Sequence, residues 1–247
     1  MTLDPTRRFS SRVDAYIRFR PSYPAAVADL LERECGLRPG AVVADIGCGT
    51  GLLAELLLSR GCEVFGVEPN PEMREAGRKI LADEPLFHSI EARAEATMLG
   101  DQSVDLVTAG QAFHWFQPEA VRAEFRRILK PGGWVLLVWN ERRRQAGFMA
   151  EYETAIARYA PEQPRVNPET LAQFFQGAAR RDALFDNHQY LDAEGLRGRL
   201  ASSSYAPQPG TTEFEVLMTR VDELFSRWQK DGVVTIVYDT EVYLGHW

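Results

Sequence analysis

The chain has 247 residues, 45% of them hydrophobic and 26% charged, and carries a formal net charge of −7. That composition belongs to a soluble globular protein with room for one large domain, or for one domain with a lid. The acidic balance disfavours nucleic acid and anionic membrane as partners, because both are bound mainly through positive charge.

The stretch from Phe9 to Cys35 reads as an arm followed by a helix opened by Pro24. The turn Arg38-Pro39-Gly40 leads into a first strand, Ala41 to Ile46, and a glycine-rich turn follows it. A helix is expected at Leu52 to Leu58, stopped near Gly61, and a second strand at Glu63 to Val67. Asn70 is placed to cap the next helix, with Pro71 at its first position and Glu72 near the positive end of its dipole. A third strand is expected at about Leu86 to Ile90 and a fourth at Val104 to Ala109. Pro118 opens a helix with Val121, Phe125, Ile128 and Leu129 on one face, and Pro131-Gly132-Gly133 ends it. The fifth strand, Trp134 to Trp139, is apolar throughout, as a strand buried on both faces should be. Alternation of this kind predicts an α/β fold with a parallel sheet covered by helices on both sides.

After Asn140 the pattern changes. Two short helices fall between about Gln145 and Arg181, interrupted by Pro161, Pro164 and Pro168, and a sixth strand follows at Leu184 to Leu191. A short helix, a longer one at Thr212 to Gln229 and a β-rich run at Val233 to Leu244 complete the chain. The expected organisation is an arm and helix (1–40), a ligand-binding core (41–140), a helical cap (141–182) and C-terminal strands completing the sheet (183–247). The three cysteines, Cys35, Cys48 and Cys62, have neither disulfide-framework nor zinc-ligand spacing, and no metal is expected. Met1 to Arg20 lacks the apolar segment of a signal peptide and no stretch approaches the ~18 apolar residues of a membrane span, so a cytoplasmic location is expected.

The chemistry concentrates in the turn Asp45-Ile46-Gly47-Cys48-Gly49-Thr50-Gly51, between the first strand and its helix. Glycines there allow a tight turn and a close approach of ligand to backbone, and amides at the helix start face that ligand. A dinucleotide fingerprint needs a third glycine where Leu52 stands, so a nicotinamide-dependent oxidoreductase is the alternative reading rather than the first. Glu68, directly after the second strand, has the place of an acidic residue that accepts hydrogen bonds from ribose hydroxyls.

Asp45 to Gly51, Val67-Glu68-Pro69, Arg93-Ala94-Glu95-Ala96 and Gln111-Ala112-Phe113-His114-Trp115-Phe116 together resemble the motif series of class I S-adenosylmethionine-dependent methyltransferases. Phe9, the run Tyr16 to Pro24 and the run Ser202 to Pro207 extend the resemblance to the small-molecule, trans-aconitate-type (methyltransferase type 11-like) subgroup. It implies a Rossmann-like, doubly wound, mostly parallel seven-stranded sheet with an antiparallel last strand. It also implies residue roles. Gly47 and Gly49, with Cys48 between them, lie against the methionine part of S-adenosylmethionine, and Asp45 supports its amino group. Glu68 holds the ribose, Pro69 and Met73 flank the adenine, Ala94 and Glu95 meet the adenine edge, and Gln111 sits beside the sulfonium. Arg93 stands where many relatives have glycine, a departure at the adenine end.

The implied reaction is in-line transfer of a methyl group to a small-molecule acceptor, a carboxylate being one candidate class. His114 is the candidate general base, with packing in the pocket wall as its other reading. Tyr16, Tyr23, Trp115 and Trp139 are the aromatic candidates for an acceptor pocket, and the run Arg142-Arg143-Arg144 is a candidate carboxylate or phosphate clamp, or else a solvated loop face. A non-catalytic cofactor-binding module would share the same binding motifs.

Overall fold

The computed structural model describes residues 17–160, 167–203 and 205–247. Helix α1 (Ala25–Cys35) precedes β1 (Val42–Ile46), α2 (Leu52–Leu58), β2 (Glu63–Val67), α3 (Pro71–Ile80) and β3 (Phe87–Ile90). Strand β4 (Val104–Gly110) leads through a single 3₁₀ turn (Phe113–Trp115) to α4 (Pro118–Ile128) and β5 (Leu129–Arg142). Then come α5 (Phe148–Ile156), α6 (Pro168–Phe174), β6 (Ala179–Leu191), α7 (Ala193–Ala201), α8 (Thr212–Trp228) and β7 (Val234–His246).

The seven strands form one sheet in the order β3-β2-β1-β4-β5-β7-β6. Pairings from β3 through β5 are parallel, and β7 runs antiparallel to both β5 and β6. The expected doubly wound sheet with a reversed last strand is the observed one. The chain builds outward from β1 to β3, then returns to place β4 on the other side of β1. That reversal opens a crevice at the carboxyl ends of β1 and β4, where ligands of open α/β sheets bind.

Alternation along the strands divides the core into two layers. Val43, Val64, Leu106 and Leu136 pack with Val27, Leu31, Leu53 and Leu57 of α1 and α2. Ala44, Ile46, Val107 and Leu137 face the other way, onto Val121, Phe125 and Ile128 of α4 and Phe174 of α6. A third cluster joins α5, α7 and α8 to one face of β6 and β7 through Tyr152, Leu196, Leu217, Val221, Ile236 and Tyr238.

Two strands begin five residues earlier than expected. Strand β5 begins at Leu129, because Pro131-Gly132-Gly133 is absorbed as an irregularity rather than ending a helix. Leu129 pairs with Val104 and Trp134 with Leu106, and the residues between them bulge out of register. Strand β6 starts at Ala179, where Arg180, Arg181 and Asp182 hide any apolar pattern. The strand forms there because it pairs with β7 along its whole length, from Ala179–His246 to Leu191–Val234, at the sheet edge.

Candidate functional site

The glycine turn joins β1 to α2 and is stitched to the end of β2. Val67 O accepts from Gly47 N at 2.8 Å and from Cys48 N at 3.2 Å. Gly47, Gly49 and Gly51 have φ of +68°, +57° and +91°, a region glycine enters without steric cost. A methyl at Gly47 would stand 2.7 Å from Ala112 Cβ, so the turn touches the segment just after β4.

Two carboxylates flank the turn. Glu68 is buried; its Oε2 accepts from Gly49 N at 2.9 Å and its Oε1 from Asn70 N at 2.8 Å. Asn70 in turn caps α3 by accepting from Met73 N, as its position predicts. Each Glu68 oxygen keeps a second lone pair, so the group can brace the turn and still accept from a ligand. Burial raises the Glu68 pKa, and the two backbone donors and Arg74 oppose it.

Asp45 is 1% exposed. Its Oδ1 accepts from Thr108 Oγ1 at 2.8 Å, whereas Oδ2 has no hydrogen-bond partner among the described residues. Burial pushes its pKa up to about 7 against the Thr108 hydrogen bond, and Glu68 adds repulsion. A buried carboxylate oxygen without a donor is costly alone and well suited to a cationic group. Cys48 between the glycines stays a neutral thiol, since burial drives its pKa far up.

Met73 is buried, with its Cε 3.3 Å from where a Gly49 Cβ would stand. Pro69 is half-buried beside it. Ala94 is buried in the tight turn Arg93–Ala96, and Glu95 Oε1 accepts from Gln117 N at 3.2 Å. Gln111 follows β4 with φ of +54°, uncommon for a residue other than glycine and frequent at functional sites. Its amide N donates to Val138 O and its Nε2 to Asn140 O, fixing the side chain between the ends of β4 and β5.

Next to Gln111 opens a cavity of about 730 Å³, walled by Arg20 and Pro21, by Asn140, Glu141, Arg142 and Arg144 at the end of β5, by Glu153 and its neighbours on α5, and by Arg199 and Ser203. Sequence reasoning brought Gln111 and the arginine run toward this place but missed Arg20, Asn140, Glu153 and Arg199. Arg142 pairs with Glu153 at 2.5 Å, Arg143 turns away to Asp239 and Asp186, and Arg144 is exposed at the cavity. Asn140 ties the wall together: Oδ1 accepts from Thr240 Oγ1 at 2.6 Å and from Asn187 Nδ2 at 3.1 Å, and Nδ2 donates to Ser22 O at 3.2 Å.

The aromatic candidates lie elsewhere. Trp139 is 2% exposed in the core layer against Phe113 and Tyr243, because its β5 position points to the side covered by α4 and α6. Tyr23 packs on Gly110, where a Cβ would meet its hydroxyl at 2.5 Å. Trp115 is half-buried against the His114 ring, centroids 4.6 Å apart. None of the three, nor His114, is among the described residues lining the cavity. Tyr16 lies outside the described residues. No cluster of His, Cys, Asp and Glu able to hold a metal occurs among the described residues, and no helix there is long and apolar enough to cross a membrane.

Residues 44–137 match the family model described as a methyltransferase domain. An uncharacterised methyltransferase of Mycobacterium tuberculosis is 38% identical over 203 residues, covering 82% of this chain and 79% of the other. An uncharacterised methyltransferase-like protein of Schizosaccharomyces pombe is 28% identical over 96% of this chain and 94% of its own. Among solved structures, a candidate type II methyltransferase from Anaeromyxobacter dehalogenans shares the fold with a TM-score of 0.72 at 22% identity, over 92% of this chain and 98% of that one. The chain belongs to the family of S-adenosylmethionine-dependent methyltransferases.

Proposed function

We propose that this methyltransferase moves the methyl group of S-adenosylmethionine onto a small-molecule acceptor bearing a carboxylate, by direct in-line displacement. One observation carries the reading: a chain of net charge −7 places Arg20, Arg142, Arg144 and Arg199 around a cavity of about 730 Å³, with only Glu141 and Glu153 opposing them among the described lining residues. That volume suits a metabolite, and the positive lining selects an anion.

The residues around the glycine turn fit the cofactor. The unpartnered Asp45 Oδ2 accepts the methionine ammonium, and the turn at Gly47, Cys48 and Gly49 admits the methionine chain without a side-chain clash. Glu68 accepts from the ribose hydroxyls on its free lone pairs, and charged hydrogen bonds of that kind contribute about 1.5–3 kcal/mol each. Pro69 and Met73 flank the adenine, Ala94 and Glu95 meet its edge, and Gln111 stands beside the sulfonium. When bound, the cofactor supplies an electrophilic methyl group on a positively charged sulfur. The chain's own contribution is alignment across Gln111, where the turn and the cavity meet, and pre-organisation of this kind contributes on the order of 7–11 kcal/mol.

A carboxylate acceptor is already ionised near neutral pH and needs no general base, in keeping with a cavity whose described lining includes no histidine. His114 then packs in the wall of the cofactor pocket. The described parts of 141–182 act as a cap over the core of 41–140, with those of 1–40 as a further wall and those of 183–247 completing the sheet. Membership of the trans-aconitate-type subgroup and a cytoplasmic location belong to the same reading.

The test has two arms. Calorimetric titration with S-adenosylhomocysteine should give a dissociation constant of about 10 μM or tighter, equivalent to roughly −7 kcal/mol, with no response to NADH or NADPH. A screen of carboxylates against their neutral amides with S-adenosylmethionine, read by mass spectrometry, should yield methyl esters from the acids. Turnover confined to amines or phenols would overturn the carboxylate reading.

A further inference from the structure

Helix α7 carries one residue that its burial does not explain. Arg199 is 3% exposed, beside Leu196 and Leu200 on the face packed against β6, β7 and α8. Its Nε donates to Tyr238 Oη at 3.0 Å and its Nη1 to Ser203 Oγ at 3.0 Å. Those acceptors are neutral, and among the described residues no carboxylate lies within ion-pairing distance. The titratable groups that face it are the phenols of Tyr238, Tyr152 and Tyr205, together with a second guanidinium, Arg142. A buried cation is normally held by a carboxylate, because hydrogen bonds to neutral groups replace only part of its lost hydration. Arg199 nevertheless reaches the wall of the cavity.

The surrounding hydroxyls point the same way. Tyr152 Oη and Tyr205 Oη are buried with no hydrogen-bond partner among the described residues. Tyr238 Oη, by contrast, is satisfied, accepting from Arg199 and donating to Gln189 Oε1 at 3.1 Å. A phenol that can donate, next to a guanidinium that lacks an anion, is half of a hydrogen-bonded site. Arg142, over the Tyr205 ring at 5.9 Å, adds positive potential although Glu153 already pairs with it.

We propose that Arg199, with the hydroxyls of Tyr152 and Tyr205, is an oxyanion seat that holds a carboxylate or phosphate group of the acceptor. The proposal rests on reading the cavity as the acceptor site. It adds that the seated group anchors the acceptor rather than receiving the methyl group: an oxyanion whose lone pairs are taken by a guanidinium and two phenols is a poor nucleophile. The acceptor therefore carries a second group, the carboxylate that receives the methyl group, which reaches toward Gln111.

Thermal unfolding of the full chain tests this without turnover. Glutarate and inorganic phosphate are compared with glutaramide and with sodium chloride at matched ionic strength, with and without saturating S-adenosylhomocysteine. The seat predicts a rise in Tm of about 3–6 °C at ten times the dissociation constant of the bound anion, and none with the amide or the chloride. A response to glutarate alone identifies a carboxylate seat, and a response to phosphate alone a phosphate seat. Arg199→Gln should abolish the response and Arg199→Lys should weaken it at least tenfold, because an ammonium lacks the forked geometry. Tyr205→Phe separates the seat from a purely structural role. Removing an unpaired buried hydroxyl should leave the ligand-free Tm equal or higher, while the anion response falls several-fold. The proposal is overturned if the wild-type protein responds to neither anion, or if Arg199→Lys and Tyr205→Phe respond as the wild type does. Normal binding of S-adenosylhomocysteine with no anion response sinks the seat alone. An anion response without that binding removes the cofactor placement and leaves the seat.

Discussion

On the cofactor placement proposed above, the buried carboxyl of Asp45 ties cofactor affinity to pH. Its pKa stands at about 7 against an ordinary 3.8, chiefly through burial. The folded state thus holds this proton more tightly than the unfolded chain does. As pH rises from about 4 through 7, the ligand-free protein loses stability from this group, and the gap between the two pKa values corresponds to roughly 4 kcal/mol. A ligand ammonium against Oδ2 favours the ionised form, so affinity for S-adenosylhomocysteine should rise with pH. With a pKa near 7, the ionised fraction grows about tenfold between pH 6 and pH 8, equivalent to about 1.4 kcal/mol of binding. Calorimetry in buffers of different ionisation enthalpy reads the affinity and the proton count together. Close to one proton should be released per ligand at pH 6 and almost none at pH 8. Asp45→Asn should flatten both profiles, weaken binding at pH 8 and raise the ligand-free Tm at that pH. Burial also raises the Glu68 pKa, so this variant is what assigns the effect. An affinity that is flat between pH 6 and pH 8, or a pH dependence that survives Asp45→Asn, would refute the placement of the ammonium.

Gly47→Ala combines φ of +68° with a methyl 2.7 Å from Ala112 Cβ, an atom that no rotamer change can move. It should cost about 2–4 kcal/mol of stability and weaken S-adenosylhomocysteine at least tenfold, read by Tm and calorimetry. Glu124 accepts from Thr97 N and Thr97 Oγ1 at 2.8 and 2.6 Å and pairs with Arg127, whose hydrogen bonds are the main cause of a pKa pushed down to about 2. Its stabilisation is present above about pH 4.5 and is lost as pH falls toward 2. Glu124→Gln should therefore lower Tm at pH 7, by about 2 kcal/mol of stability, and the difference from wild type should shrink in a titration below pH 4. His114→Ala should leave kcat on a carboxylate acceptor within about twofold once cofactor affinity is measured separately; a loss of 100-fold or more would restore the general-base role.

The cofactor end of the fold was legible because backbone chemistry writes itself locally. A helix start at Leu52, a cap at Asn70 and glycines at three positive-φ positions each leave a residue-level mark within a few positions of the structure they cause. The sheet edge was harder to read. Nothing in Arg180-Arg181-Asp182 announces a strand, because the pairing with β7 that forms it is non-local. Trp139 is a related case. Its place near a strand end is visible in sequence, but the face it points to depends on the parity of the strand and on which helices cover that side. Arg199 left a faint signal, an arginine three residues after Leu196 and next to Leu200 on a helix. That pattern reads as an ordinary solvated charge until packing buries it.

The matched region and the cavity divide the molecule in a way that bears on specificity. The family match spans residues 44–137 and contains the glycine turn, Asp45, Glu68 and Gln111. Of the described residues that wall the cavity, all but Gln111 lie outside it, on the segment at Arg20 and Pro21 and from Asn140 onward. They are held there by polar rungs of the last strands: Gln189 Nε2 donates to Phe19 O at 2.8 Å, and Asn187 Nδ2 donates to Ser22 O at 2.8 Å. Those bonds fasten the segment from Phe19 to Ser22 to the antiparallel end of the sheet, so that segment and the C-terminal strands form one wall. A substitution at Asn187 or Gln189 should therefore change the affinity for an anionic acceptor while leaving S-adenosylhomocysteine binding as it was. On the proposed reading, relatives that share only the matched core would bind the cofactor without the residues that choose what is methylated, and their acceptors would carry no weight for this chain unless Arg199 and its tyrosines were present as well.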